Sequence, residues 1–99
     1  MQPSRGKALS RPEAEAVAVG FLSYLAGEPE QFSRFMALTG LDMEDLRAQA
    51  ADHQFLLALL DYLLSDEALL LTYCGNEHMP PETVERARIA LGGRPETDY

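Results

Sequence analysis

The segment TYCGNEHMPPE, at residues 72–82, contains the residue types in this chain that are best able to do chemistry. It holds the only cysteine, Cys74, followed by Glu77 and His78. A thiol, a carboxylate and an imidazole could form an activated nucleophile, or could provide ligands to a zinc ion. The Cys-x-x-x-His spacing offers zinc two ligands, with Glu77 or the distant His53 as a third.

The segment could instead have a purely structural role as the end of a helix. A structural zinc site normally has four protein ligands, and the chain has no second cysteine. A buried free cysteine commonly behaves as a small hydrophobic residue. We therefore predict that Cys74 is a core residue, that His78 lies in a connection, and that no metal or cofactor binds here. A small-ligand, metal-binding or enzymatic site around Cys74, Glu77 and His78 is the alternative.

Three carboxylates elsewhere could be taken for acid–base catalysts. Glu44, Asp45 and Asp52 lie at predicted helix starts, where carboxylates cap the backbone and complement the helix dipole. His53 also lies at a helix start and is predicted to be a partly exposed surface histidine. The chain has no glycine-rich phosphate loop and no His-Glu-x-x-His motif. We therefore expect a protein that is not an enzyme.

Start and stop signals divide the chain into six helices that would position these residues. Ser10 and Glu13 have the spacing of a capping box, and Pro81 suits the first turn of the last helix. No segment alternates between apolar and polar residues, so the chain is predicted to be all-α. The predicted helices span residues 11–26, 29–39, 43–51, 53–64, 66–74 and 81–91, with caps at Ser10, Asp42, Asp52 and Ser65 and stops at Gly27, Gly40, Gly75 and Gly92.

Apolar positions in the first half of the chain recur 38 residues later. Phe32 falls on Leu70, Phe35 on Tyr73, and Met36 on Cys74. This pattern predicts two similar three-helix units, although two unrelated amphipathic runs could also be aligned in this way. Two units are too few for a solenoid, so a compact bundle is favoured.

The predicted helix at residues 53–64, HQFLLALLDYLL, is apolar over most of its circumference. Such a helix must be covered on nearly every side, either at the centre of the bundle or in a homodimer interface. We predict the central position, in a single helical domain at residues 10–92. Residues 1–9 and 93–99 are predicted to be flexible tails, because they are rich in proline, glycine and charge.

The charge distribution narrows the range of partners. The net charge is −8, and between Glu13 and Leu91 four arginines stand against 14 acidic residues. Such a surface repels nucleic acid and anionic membranes. No apolar run is long and uninterrupted enough to span a bilayer, and a single cysteine suits a reducing compartment. A soluble cytoplasmic protein is therefore expected.

Three segments of the chain resemble a known family: FLSYLAGEPEQFSRFMALTGLDMEDLR, FLLALLDYLLSDEALLLTYC and PPETVERARIALGG. With their Thr-Gly-Leu turn and Pro-Glu helix start, they resemble small alphaproteobacterial proteins of domain-of-unknown-function family 3572. The resemblance covers about residues 15–92. It implies one helical domain of bacterial, cytosolic origin, and it implies no activity and no catalytic residues.

These observations favour a non-catalytic protein–protein interaction domain, whose partner is another protein or a second copy of the chain. Contact residues are expected among the exposed members of a set of large apolar side chains, Phe32, Phe35, Leu69 and Leu71. A third hypothesis is DNA-associated regulation, because residues 39–49 follow the sequence pattern of a turn and second helix in a helix-turn-helix motif. Its second helix carries three acidic residues against Arg47, which disfavours DNA.

Overall fold

A computed structural model describes residues 8–49 and 52–92. Within these ranges the chain forms six helices and no strand, which confirms the all-α prediction. Of the predicted tails, residues 1–7 and 93–99 lie outside the described residues, and Leu9 packs at the edge of the core. The helices are α1 (Arg11–Ala26), α2 (Pro29–Thr39), α3 (Met43–Gln49), α4 (His53–Leu64), α5 (Glu67–Glu77) and α6 (Pro81–Gly92).

Side-chain caps define the starts of α1, α3 and α4, as the sequence predicts. The capping box of α1 is complete, since Glu13 N donates to Ser10 Oγ and Ser10 N donates to Glu13 Oε1. At α3, Asp45 N donates to Asp42 Oδ1 at 2.9 Å, and the reciprocal bond is also present. These bonds satisfy amide groups that the first helical turn leaves without partners.

The predicted boundaries of α5 are wrong at both ends. Ser65 closes α4 instead, because its Oγ donates to the carbonyl oxygen of Tyr62, and Asp66 caps α5 by accepting from Leu69 N. The helix then continues through Gly75 to Glu77. It ends where His78 adopts the left-handed conformation, with a φ of 54°.

The end of α5 has the hydrogen bonds of a Schellman motif. His78 N donates to the carbonyl of Gly75, and Met79 N donates to the carbonyl of Cys74. Met79 also packs against the core, which is the apolar contact that accompanies this motif. The closure falls at residue 78 because Pro80 and Pro81 follow and cannot continue a helix.

The structure repeats with the 38-residue spacing that the sequence indicates. α2 and α5 coincide at both ends, α1 and α4 coincide at their C-terminal ends, and α3 and α6 coincide at their starts. Gly40 and His78, the two residues with positive φ in the described chain, also differ by this spacing. The buried side chains Phe35 and Tyr73 occupy equivalent positions as well. The two halves are therefore similar three-helix units.

One hydrophobic core joins the two units. α4 packs against α1, α5 and α6 and has five buried residues, more than any other described helix. It shares the centre with α1 and α6, which pack closely against each other and against α4. Aromatic rings meet within the core, with centroid distances of 5.3 Å for Phe21–Tyr73 and 5.2 Å for Phe35–Tyr62. The buried core consists of Ala14, Ala18, Phe21, Leu25, Phe35, Leu46, Phe55, Leu56, Leu59, Leu60, Leu63, Leu69, Tyr73, Cys74, Val84, Ala87 and Leu91.

The third helices of the two units differ in length and in packing. α6 has 12 residues and lies along both α1 and α4, whereas α3 has seven residues and contacts the other helices only sparsely. Leu46 is the one buried residue of α3. The first unit is therefore less well covered than the second.

Gly20 lies inside α1, where the ring of Tyr73 crosses the helix. A Cβ atom at residue 20 would lie 2.9 Å from Tyr73 Oη. Tyr73 is 1% exposed, and its hydroxyl makes no hydrogen bond to residues 8–49 or 52–92. Glycine is unfavourable inside a helix by about 1 kcal/mol, so the close approach of the Tyr73 ring accounts for its presence here.

We predict that the effect of Gly20→Ala depends on Tyr73. In the natural chain the added methyl group clashes with the hydroxyl, so the substitution should lower the free energy of unfolding by about 1 kcal/mol despite the better helix propensity. In a Tyr73→Phe background it should raise that free energy by up to about 1 kcal/mol. Urea unfolding of the four chains measures the coupling. An equal effect in both backgrounds would contradict the packing described for Gly20.

Three helix-end substitutions should differ in sign. Gly40→Ala should destabilise by about 1 kcal/mol, because alanine is strained at a φ of 75°. His78→Gly should stabilise by about 0.5 kcal/mol, because glycine relieves the strain of the left-handed conformation. Gly75→Ala should stabilise by up to about 1 kcal/mol, since residue 75 is helical and no atom lies within 4 Å of the added Cβ. Thermal unfolding checks all three, and a loss of stability in Gly75→Ala would place the helix end at Gly75 after all.

Candidate functional site

Cys74, Glu77 and His78 do not form a joint site. Cys74 is 3% exposed and belongs to the hydrophobic core, whereas Glu77 and His78 lie on the exposed end of α5. His78 has the structural task of closing the helix in the left-handed conformation. No group of three or more histidine, cysteine, aspartate and glutamate residues within the described ranges could hold a metal ion.

The environment of Cys74 keeps its thiol protonated. Burial raises the pKa of the thiol above its ordinary value, and the nearby negative charge of Glu82 raises this pKa further. Burial and the negative charge of Glu77 likewise raise the pKa of Tyr73 to about 12. A cysteine nucleophile requires the opposite environment, which is electropositive and partly open to solvent. The arrangement at Cys74 therefore favours an unreactive thiol.

His53 links the beginnings of two helices. Arg11 Nη2 donates to His53 Nδ1 at 2.9 Å, and Arg11 Nε lies 3.6 Å from a carboxylate oxygen of Glu15. This contact ties the start of α1 to the start of α4. His53 is half-buried, which agrees with the partly exposed position predicted for it.

Two of the three carboxylates considered for catalysis cap helices. At the start of α3, Asp45 Oδ2 accepts from Asp42 N, and at the start of α4, Asp52 Oδ2 accepts from Phe55 N. Glu44 is exposed on α3. Their arrangement is that of helix caps and surface charges, as the sequence analysis favours.

A concave surface lies between α1, α2 and α3. We call it the α3 groove, and its cavity volume is about 240 Å³. It is open to solvent and almost entirely apolar; Met43 is 52% exposed, whereas Leu46 is buried. Because α3 is short and packs sparsely, it leaves this face of α1 and α2 accessible. The lining residues are Leu22, Ala26, Phe32, Met43, Leu46 and Arg47.

The structure separates the four predicted contact residues. Phe35 and Leu69 are buried in the core, so they are not available to a partner. Phe32 is half-buried and lines the α3 groove. Leu71 is 53% exposed on α5 and does not line the groove.

Sequence reasoning missed the other apolar lining residues. Leu22, Ala26, Met43 and Leu46 were predicted only as parts of helices, because the sequence pattern does not show that α3 packs sparsely. The sequence does carry one signal of the sparse packing, which appears when the third helix of each unit, α3 and α6, is aligned with the 38-residue shift. The apolar pattern of α6 continues to Leu91, whereas the helix that begins at Met43 is interrupted by the cap of α4 at Asp52.

The segment at residues 39–49 contains α3 and the left-handed turn at Gly40. α3 is seven residues long, and the single cation in it, Arg47, lines the α3 groove. Asp42 and Glu44 are exposed beside it. A recognition helix needs cations along its exposed face to meet phosphates and base edges, so this arrangement disfavours DNA binding.

No described helix combines the length and the apolar character that are needed to cross a lipid bilayer. This finding agrees with the interrupted apolar runs of the sequence.

Comparison with known proteins adds a family. Residues 11–94 match the family that is described as Protein of unknown function (DUF3572). The match includes all six described helices and confirms the resemblance seen in the sequence. No curated protein and no solved structure matches the chain.

We predict that Cys74 reacts slowly with a thiol reagent in the folded protein. Burial restricts access, and the raised pKa depletes the thiolate, so the rate below pH 9 should be at least about tenfold lower than in the unfolded chain. Because the chain has one cysteine, absorbance from a disulfide reagent reports on Cys74 alone. Guanidinium-unfolded protein is the control. A folded-state rate equal to that of the unfolded chain would refute the protected environment.

Proposed function

We propose that this chain, which belongs to the DUF3572 family of proteins of unknown function, is a non-catalytic domain that binds another protein through the α3 groove. The observation that carries this proposal is the concave, solvent-open apolar surface formed by α1, α2 and α3. Exposed apolar concavities in soluble domains are typical of contact surfaces for other proteins.

The size and shape of the groove favour protein side chains over a free small molecule. Pockets for drug-sized ligands usually have volumes of about 300–1,000 Å³ and enclose most of the ligand. The α3 groove has a volume of about 240 Å³ and is open. Its lining offers one polar side chain, Arg47, and so provides few groups to orient a small ligand. Side chains held by a partner backbone do not need such enclosure.

The chemistry at the end of α5 supports a non-catalytic role. The protonated, buried thiol of Cys74 and the exposed Glu77 and His78 do not share a cleft. The α3 groove itself contains no carboxylate, histidine or cysteine among its lining residues. Binding therefore explains the groove better than acid–base or nucleophilic chemistry does.

A pair of surface variants tests this function. Met43→Lys places a charge in the groove, and Leu38→Lys places the same charge at a residue that is 69% exposed and does not line the groove. Both substitutions affect exposed side chains, so both variants should fold. We expect the natural chain and Leu38→Lys to retain a stoichiometric protein partner in pull-downs from the native host, and Met43→Lys to lose it.

The retained partner should then bind the purified natural chain directly, with affinity measured by calorimetry. Binding that is equally strong to Met43→Lys would exclude the groove as the contact site. A partner that binds only Leu38→Lys and not the natural chain would also contradict the proposed function.

A further inference from the structure

We propose that the occupant of the α3 groove is an amphipathic helix of another protein that carries a net positive charge. This inference rests on the proposed function and deepens it by naming the chemistry of the partner. Two independent observations support it: the way in which the second three-helix unit is covered, and the charge around the groove.

The second unit shows what covers this kind of surface. There, α6 lies along α4 and buries Val84, Ala87 and Leu91, which are spaced as one stripe of a helix. In the first unit α3 corresponds to the start of α6, but its described residues, Met43–Gln49, are fewer and leave α1 partly uncovered. Leu60 in the second unit is fully buried, whereas its counterpart Leu22 is only half-buried. A further helical segment with an apolar stripe would complete the first unit.

The exposed face of α1 has the length and periodicity that such a helix requires. Val19, Leu22 and Ala26 are spaced by three and four residues, so they lie on one face of α1. Val19 is 44% exposed and extends the apolar surface beyond the groove. The three residues span roughly 10 Å along the helix axis, about two turns of a partner helix. This surface suits apolar side chains at positions i, i+3 or i+4, and i+7.

Charge around the groove favours a cationic partner. Exposed Glu28 precedes Phe32 by one turn, and exposed Asp42 and Glu44 flank Met43. The body as a whole is also strongly acidic, with four arginines against 14 acidic residues between Glu13 and Leu91. This field attracts a positively charged helix and repels a second copy of the chain. We therefore favour a different protein over a homodimer.

Arg47 adds a local exception at the edge of the groove. Its side chain makes no ion pair with a described residue, whereas Arg34 lies near Asp66 and Arg88 near Asp61. A carboxylate on the partner helix is favoured only beside Arg47, and lysine or arginine is favoured along the rest of its polar face.

Synthetic helical peptides test the proposal on the full chain. The probe is a peptide of about 18 residues with leucine at i, i+3, i+4 and i+7 and lysine elsewhere, a length at which an isolated helix can form. Matched peptides carry glutamate in place of lysine, or the same composition in scrambled order. The chain has four methionines, so methyl NMR of labelled methionine resolves Met43 in the groove from Met79 at the end of α5.

We expect the leucine–lysine peptide to shift the Met43 methyl signal in a saturable manner and to leave Met79 unchanged. The glutamate peptide and the scrambled peptide should bind at least about fivefold more weakly, because each lacks one of the two complementary features. Added salt should weaken the binding of the lysine peptide, since the attraction between exposed charges is screened.

Matched variants separate groove binding from general attraction to an acidic protein. Calorimetry measures peptide affinity for the variants, because Met43→Ser removes the methyl group that NMR follows. Met43→Ser should weaken peptide binding about fivefold or more, whereas Leu71→Ser, at an exposed apolar residue outside the groove, should not. The double change Glu28→Gln/Glu44→Gln should weaken it roughly threefold more than Glu82→Gln/Glu85→Gln on α6, which removes the same charge. Equal losses in the two members of either pair would overturn the proposal.

The outcomes also separate this inference from the proposed function. Preferred binding of the glutamate peptide, or a concentration-dependent dimer that buries Met43, would overturn the cationic-helix proposal and leave the groove as a protein-binding site. Failure of every apolar peptide to perturb Met43, together with full partner capture by Met43→Lys, would overturn both.

Discussion

Burial of the apolar side chains of α4 is the constraint on which the rest of the structure depends. Its five buried residues, Phe55, Leu56, Leu59, Leu60 and Leu63, must be kept from water by neighbouring helices. α1, α5 and α6 provide that cover, and α6 is long enough to lie along α1 as well. One face of α1 is buried in the core. Outside the core, α1 packs against α2 and only sparsely against the short α3. The open groove is therefore a consequence of how the core is closed.

The number and type of the helices could be predicted because each is specified by local chemistry. Capping at Ser10, Asp42 and Asp52 follows from hydrogen bonds between residues three apart, and such bonds can be recognised in a sequence. Ser65 and Asp66 are both residue types that cap helices well, and which of them caps α5 depends on where α4 ends. Gly75 is a common helix stop, but the apolar contact of Met79 and the two prolines move the closure to His78. The 38-residue register would have placed it there, opposite Gly40.

The candidate site was harder to foresee, since it depends on distances between helices rather than on residue types. The residue types around Cys74 suggest a reactive or metal-binding site. Burial accounts for the cysteine, and closure of α5 accounts for His78. The apolar groove is formed by ordinary residues such as Leu22 and Met43, which any helical bundle contains. They are accessible because α3 is short, and the only sign of that length in the sequence is the cap of α4 at Asp52, soon after α3 begins.

The attachment of α3 by a single buried side chain, Leu46, has a consequence for the range of ligands. An element that buries so little apolar surface is expected to open at a lower free-energy cost than unfolding of the whole domain. One wall of the groove can therefore shift to fit bulky or slender side chains. Met43 adds to this tolerance, because an unbranched thioether adapts readily to differently shaped neighbours. In the proposed binding role, such a surface suits recognition of several related sequences rather than one.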